Sequence, residues 1–555
     1  MAIKSKVAIN VANRSGFDKS FRNLLTAKCG TLVPVLVDEV IPGTRVHLKG
    51  MVSGSLAPLA SETFMNVQYR LEAFFVPYRL LYGGFEDWIC QNSLGINEQS
   101  TSSDIPALPR LGVIASDPEG EPNPYLAPGS LADYLGYVID TDSNSVSTNI
   151  NMFPFLAYHK IYDDWYRNSR VQRSVFTKMM SYPPSASYTY LRVGNIPYCA
   201  VKADSYRTID AVIASEVAGE YTWVKQDKGN FCDGVNIMEL RQRNFDDDYF
   251  TMSMPQAQQG TAQSVSFATN QSTGSFTISQ LRAANSLQQF LERNALCGNR
   301  YVDYVKAHYG ADLSDGIAQR SLYLGRSVMD IYSKGVFQSA DGNNSGVNTP
   351  FSSVASRYGS PYFAGNDTII DDFVANEYGV IMVIGSVVPR VTYSTGIRKY
   401  LLEHFLSDNS RAQIADPLLQ NVGNQPIYAR ELDAHIDSRV FGYIDRFAEW
   451  MTKHDELHGL LKDGQSLQSF ALQRSFDYDA ANAPVISTSF LKIPTDFLDQ
   501  VSAVSSEVST YGAWIDHFFD YKVSMPLAEY SMPSLQDPAY EHGHTVVIDR
   551  NGKHL

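Results

Sequence analysis

The segment "NVQYRLEAFFVP", residues 66 to 77, alternates apolar and polar side chains, and that period of two admits a strand and very little else. Successive side chains of a strand point to opposite faces, so Val67, Tyr69, Leu71, Ala73 and Phe75 share one side while Asn66, Gln68, Arg70 and Glu72 share the other. Burial of each larger apolar member contributes about 1.5 to 3 kcal/mol, and a one-residue slip would turn Arg70 and Glu72 inward, so the register is fixed. Pro77 lacks an N–H and should end the ladder. A second constraint comes from "GVIMVIGSVV", residues 379 to 388, whose β-branched richness and bounding Pro389 suit a strand buried on both faces. Further strands are expected at 31–37 and 44–52, with the 379 strand reaching about 393.

Helical spacing occurs between these strands. Tyr158, Ile161, Tyr162, Trp165 and Tyr166 form one apolar stripe, and Leu281, Ala284, Leu287, Leu291 and Ala295 form another after the capping pattern Thr277 to Gln280. A third stripe holds Ile397, Tyr400, Leu401, His404 and Phe405. Loop-like composition marks 100–150, 200–240, 261–276 and 336–367, and no repeat of solenoid or propeller length is present. No linker separates the strand groups, so one sheet core with large insertions fits 555 residues better than a string of domains.

Charge narrows the partners. The chain is 44% hydrophobic, 12% aromatic and only 19% charged, with 33 Tyr and 28 Phe, a balance expected where protein surfaces pack on one another. A formal charge of -14 makes the chain a poor general binder of polyanions. Residues 1–37 are the exception: Lys4, Lys6, Arg14, Lys19, Arg22 and Lys28 face Asp18 alone, a local charge of +5. Such an arm either is solvated or contacts nucleic acid. No membrane-length apolar run and no secretory signal are found. The five cysteines have no C-x-x-C spacing and read as free thiols in a reducing compartment.

Chemical motifs are few. His454 and His458 are four apart and on a helix would share a face suited to zinc, which opens a metal-dependent hydrolase as an alternative. Asp455 stands where such sites place Glu, and no third ligand is evident. The acid pairs at Asp163-Asp164 and Asp246 to Asp248 fit a solvated face or a cation site. Lys160, Tyr162, Trp165, Tyr166, Arg167 and Arg170 interleave charge with rings, as a base-stacking platform or a packed helix would. Nucleotide-loop and nucleophile-elbow motifs are absent, so no catalytic residue, metal or cofactor is assigned.

Seven ordered segments resemble the major capsid protein of the Microviridae, small single-stranded DNA bacteriophages, most closely the gokushovirus-like branch. They are "NRSGFDKSF" (13–21), "LVPVLVDEVIPGTRVHLK" (32–49), "FFVPYRLLYGGFEDWI" (74–89), "FLAYHKIYDDWYRNS" (155–169), "RQRNFDDDYFTMSMPQAQQG" (241–260), the stretch 278–325, and "RVFGYIDRFAEW" (439–450). The resemblance implies a mainly β fold: an eight-stranded viral jelly-roll sandwich with long inserted loops and several short helices, residues 38–555, preceded by the basic arm 1–37. It further implies a T=1 icosahedral shell of about 60 copies around a circular single-stranded DNA genome, located in the virion and assembled in the host bacterial cytoplasm. Expected partners are other copies of the chain, the genome, a DNA-delivery (pilot) protein, a small DNA-binding protein, a scaffolding protein and a host cell surface receptor. Lys4, Lys6, Arg14, Lys19, Arg22 and Lys28 would face the DNA. Phe74, Phe75, Tyr78, Arg79, Tyr82 and Trp88 would form an inter-subunit or core aromatic segment. Members of this branch carry a long insertion after the segment matching 241–260, associated with threefold protrusions, whereas only 261–276 follows here. A monomeric β-rich receptor-binding protein is the other alternative.

Overall fold

The computed structural model describes residues 15–60, 66–82, 127–137, 148–172, 239–256, 319–338, 356–402, 424–434, 439–445, 448–476, 484–502 and 512–526, with five short strands between Arg110 and Val224 and a few single positions. The first part of the chain supplies β1 (Ser15–Asp18), β2 (Phe21–Ala27), β3 (Val33–Val40), β4 (Arg45–Leu56) and β5 (Val67–Pro77). Then come β6 (Arg110–Val113), β7 (Thr148–Asn151), β8 (Tyr190–Val193), β9 (Ile196–Cys199), β10 (Asp210–Ser215) and β11 (Glu220–Val224). The remainder supplies β12 (Leu322–Gln338), β13 (Ser356–Val374), β14 (Gly379–Pro389), β15 (Asn424–Tyr428), β16 (Val440–Asp445) and β17 (Ala513–Met525).

The protein is mainly β. Nine strands form one continuous antiparallel sheet in the order β1-β17-β4-β13-β12-β5-β14-β3, with β2 also on β17. The sheet curls because β12 changes partners along its length: Leu322 to Ile331 pair with β5, and Tyr332 to Gln338 pair with β13. One layer is therefore β3-β14-β5 with the first half of β12, and the other is β13-β4-β17 with the β1 and β2 edge. Side chains meet between them. The Tyr69 ring on β5 lies 5.1 Å from Phe363 on β13 and 5.7 Å from His517 on β17, and Phe75 lies 5.2 Å from Phe373. This arrangement is that of a β-sandwich.

The alternation expected in β5 is present, with Val67, Tyr69, Leu71, Ala73 and Phe75 all buried. From Leu71 onward both faces are covered, because α3 (Phe153–Ile161), which follows α1 (Tyr78–Leu81) and α2 (Leu131–Tyr134), packs on the outside of β5 and β14. The same cover explains why all eleven residues of β14 are buried. The strand β5 ends at Pro77 as its missing donor requires. The stripe at 158–166 runs through α3 into a π-helical turn, Tyr162–Tyr166, that buries Tyr162 and Tyr166.

Three loop expectations need correction, the first being 100–150, which contains β6 and most of β7. Strand is present at both ends of 336–367, since β12 reaches Gln338 and β13 begins at Ser356. The span 200–240 contains β10 and β11, which extend a four-stranded sheet ordered β10-β11-β6-β7. Residues 261–276 lie outside the described ones, as does nearly all of the helix expected from 277 to 298. Of the third stripe, the helix Lys399–Leu402 leaves Tyr400 and Leu401 exposed. Among the described residues no helix is long and apolar enough to cross a membrane.

Candidate nucleic-acid and assembly surfaces

The aromatic segment that leaves β5 is packed within the chain. Phe74 sits 6.0 Å from Trp165, 5.9 Å from Tyr166 and 5.6 Å from Tyr323, ring centre to ring centre. Tyr78 stacks on Phe153 at 4.4 Å and meets Phe85 at 5.3 Å. Each such pair contributes about 0.5 to 1.5 kcal/mol beyond area burial, so the cluster fastens α3 to the sandwich. Arg79 forks onto Glu377, and the Tyr82 N–H donates to the Tyr78 carbonyl at 3.0 Å. Phe74, Phe75 and Tyr78 are thus buried by their own chain, while Trp88 lies outside the described residues.

Beneath this cluster is a buried charge network. The Glu72 carboxylate accepts from Arg243 Nη1 and from the Tyr166 hydroxyl, each at 2.6 Å. Desolvation disfavours the Arg243 charge, but Glu72 outweighs it and the guanidinium is held above its ordinary range. Asp164 accepts from the backbone N–H and the hydroxyl of Ser321, both at 2.9 Å, and pairs with Lys160 at 3.2 Å. Arg167 pairs with Asp163 at 2.7 Å. The interleaved charges of 160–167 are therefore turned on neighbouring acids. The arrangement locks helix to sheet.

The basic residues divide by position. Lys4, Lys6 and Arg14 lie outside the described residues. Lys19 Nζ is 2.5 Å from Asp38 and 5.6 Å from the centre of the Tyr521 ring. Arg22 forks onto Asp516 at 2.7 and 2.6 Å. The carbonyl of Lys28 accepts from the Thr31 N–H at 3.3 Å where the chain turns from β2 toward β3.

The zinc reading of His454 and His458 fails on geometry. The helix Ala448–Met451 ends before them, and the following backbone is extended, with Glu456 bridged to Tyr393. Both imidazoles instead approach one carboxylate: His454 Nε2 is 3.6 Å and His458 Nε2 3.2 Å from Glu456, which also takes Arg398. Burial against Phe250 lowers the His454 pKa. Asp246 and Asp248 are structural as well. Asp246 forks with Arg70, and Asp248 accepts from the N–H groups of Phe250 and Thr251 and from the Tyr393 hydroxyl at 2.7 Å. Among the described residues no group of three or more His, Cys, Asp or Glu is placed to hold a metal ion.

Two features were not anticipated from the sequence. In β17, Ala513, Ile515, His517, Phe519, Tyr521 and Val523 point inward without a break, a pattern obscured because the outward Trp514 and Phe518 are also apolar. Their outward face, shared with Leu24 of β2 and Met51 of β4, is exposed.

Acids and cations locked in pairs and an aromatic outer face on a closed core define a structural β-sandwich subunit. The chain belongs to the phage capsid protein (F protein) family, which matches residues 5–535. It is 26% identical to capsid protein VP1 of Chlamydia phage 1, covering 96% of this chain and 97% of that protein. VP1 of Bdellovibrio phage phiMH2K is 24% identical over 94% and 95% of the two chains, and VP1 of Spiroplasma virus 4 is 24% identical over 91% and 92%. The chain is a structural major capsid protein of the Microviridae type that self-assembles into a shell enclosing the viral genome, and its place is the virion. It is not an enzyme, and neither the hydrolase nor the receptor-binding alternative finds support.

Proposed function

We propose that this chain is the repeated subunit of a T=1 icosahedral shell of about 60 copies, built on an eight-stranded jelly roll around a circular single-stranded DNA genome. The observation that carries the reading is the family match from residue 5 to residue 535 on a two-layered sheet. The strand count supports it: β1 and β2 pair with successive stretches of β17, so they act as one interrupted edge strand and nine strands reduce to eight.

Contact with DNA is assigned first to the segment before β1, with Lys4, Lys6 and Arg14. Lys19 contributes less, because Asp38 compensates it, and Arg22, forked onto Asp516, is assigned no DNA contact. Binding of this kind is insensitive to base sequence and weakens with salt. The reading includes assembly in the host bacterial cytoplasm, a scaffolding protein, a DNA-delivery (pilot) protein, a small DNA-binding protein and a host cell surface receptor, all resting on the family resemblance. Electron microscopy of particles formed by the chain tests the shell: uniform icosahedral particles are expected, and a lone monomer refutes it. Replacing Lys4, Lys6 and Arg14 together by Gln is expected to lower packaged DNA several-fold with particle number retained. Equal loss of both refutes the DNA assignment.

A further inference from the structure

The outward side of the second layer carries more apolar surface than one chain needs. Register places its members in rows. Trp514 stands opposite Ser55, Ser55 opposite Tyr362, and Tyr362 opposite Tyr332. Two rows along β17, Phe518 stands opposite Met51, and Leu24 lies in the row between, opposite Asp516. All six large apolar residues, Leu24, Met51, Tyr332, Tyr362, Trp514 and Phe518, are between 38% and 66% exposed. Five strands about 4.8 Å apart and three rows about 7 Å apart give a patch on the order of 300 Å². A patch of that size is among the largest a soluble chain exposes and is often functional.

Three of its cations are compensated in place, and a fourth, Lys49, stands opposite Asp520. Arg22 is held by Asp516, Lys522 lies 3.1 Å from Asp520, and Arg45 pairs with Asp372. A face without surplus cations is a poor seat for DNA. It is a good seat for another copy, because two chains of net charge -14 repel except where the local field is near zero.

The β12-β13 ribbon points the same way. From Ser333↔Pro361 to Gln338↔Ser356 the two strands pair only with each other among the described residues. A two-stranded ribbon is marginal in water by itself, and this one extends about 20 Å past the sheet.

We infer that the outward face of β2-β17-β4-β13-β12, centred on Trp514, Phe518 and Tyr362, is a contact between copies of this chain, with the β12-β13 ribbon reaching onto the neighbour. The inference rests on the capsid reading and adds where two subunits meet. It forms the apolar centre of an interface whose full area, about 800 Å² per partner, includes surrounding polar residues.

A Ser53→Cys variant tests it, since Ser53 is exposed in the middle row between Asp516 and Ala364. Maleimide labelling of that position, read by peptide mass spectrometry, is expected to be at least tenfold slower in intact shells than in dissociated subunits, with or without packaged DNA. Equal labelling in shells and subunits overturns the inference and leaves the shell standing. Protection only in DNA-filled shells assigns the face to nucleic acid and overturns it too. Absence of any shell overturns the capsid reading and the inference with it. As a second arm, Trp514→Lys with Phe518→Lys is expected to cut shell yield at least tenfold while the subunit's thermal melt is retained, and undiminished yield with a retained melt overturns the contact.

Discussion

The Tyr69 hydroxyl lies 2.8 Å from Nε2 of His517, so this hydrogen bond joins the two layers of the sandwich at a point where both side chains are fully enclosed. The imidazole also stacks on Phe519 with ring planes 4° apart. Burial pushes the His517 pKa from 6.5 down to about 4.

That shift sets an acid limit. The folded state holds His517 neutral while the unfolded chain protonates it below pH 6.5, so stability present above 6.5 is lost as pH falls toward 4. The loss amounts to roughly 3 kcal/mol. In denaturant titrations at pH 7 and pH 4, the stability gap between parent and His517→Gln should narrow by that amount. A gap that does not change with pH would show that the ring is already solvated.

Glu431 acts with the opposite sign. Burial raises its pKa from 4.5 to about 7, although the Tyr428 N–H and the Tyr249 hydroxyl both donate to it, at 2.9 and 3.1 Å. Its contribution is complete below 4.5 and disappears as pH rises through 7. Glu431→Gln should therefore gain on the parent by up to roughly 3 kcal/mol between pH 4 and pH 8. Between 4.5 and 6.5 the two residues offset each other, so the parent should show a flatter pH profile than either single variant.

Gly385 sits where a side chain would disturb the bridge between the layers. A Cβ there would fall 2.2 Å from the Tyr69 hydroxyl and 3.0 Å from Val35 Cγ2. Gly385→Ala should cost about 1 to 3 kcal/mol by overpacking. In a Tyr69→Phe background the cost should shrink, since the clashing oxygen is gone. A double-mutant cycle on thermal melts reads this directly, and strict additivity would contradict it.

Removing Arg243 should be severe, because Glu72 would remain as an enclosed charge beside Tyr166. Arg243→Ala is expected to lose about 3 to 5 kcal/mol, and much less when Glu72→Gln is present. Comparable losses in both backgrounds would mean that the guanidinium acts by packing alone.

Legibility followed the contrast between the two faces of each element. Residues 66–76 and 379–388 could be read because their apolar positions were either strictly alternating or unbroken, and the stripe from Tyr158 to Tyr166 because its spacing was helical. The strand β17 was hidden by Trp514 and Phe518 on its outer side, where polar residues would have shown the period. In β13, "SRYGSPYFAGND" has turn composition, yet it is held extended by ladders to β12 and β4, with irregular register around Ile370. Partners distant in sequence overrode local preference there. His454 and His458 left a metal site open only as an alternative, because a spacing of four signifies a shared face only on a helix, and Tyr393 holds that backbone extended. Of the basic residues, composition could count Lys19 and Arg22 but could not show that Asp38 and Asp516 sit beside them.

Because β12 is hydrogen-bonded to β5 over one half and to β13 over the other, it belongs to neither layer alone. A load on this strand is delivered to both halves of the molecule together, so it is shared across the whole subunit and resists one leaf sliding over the other.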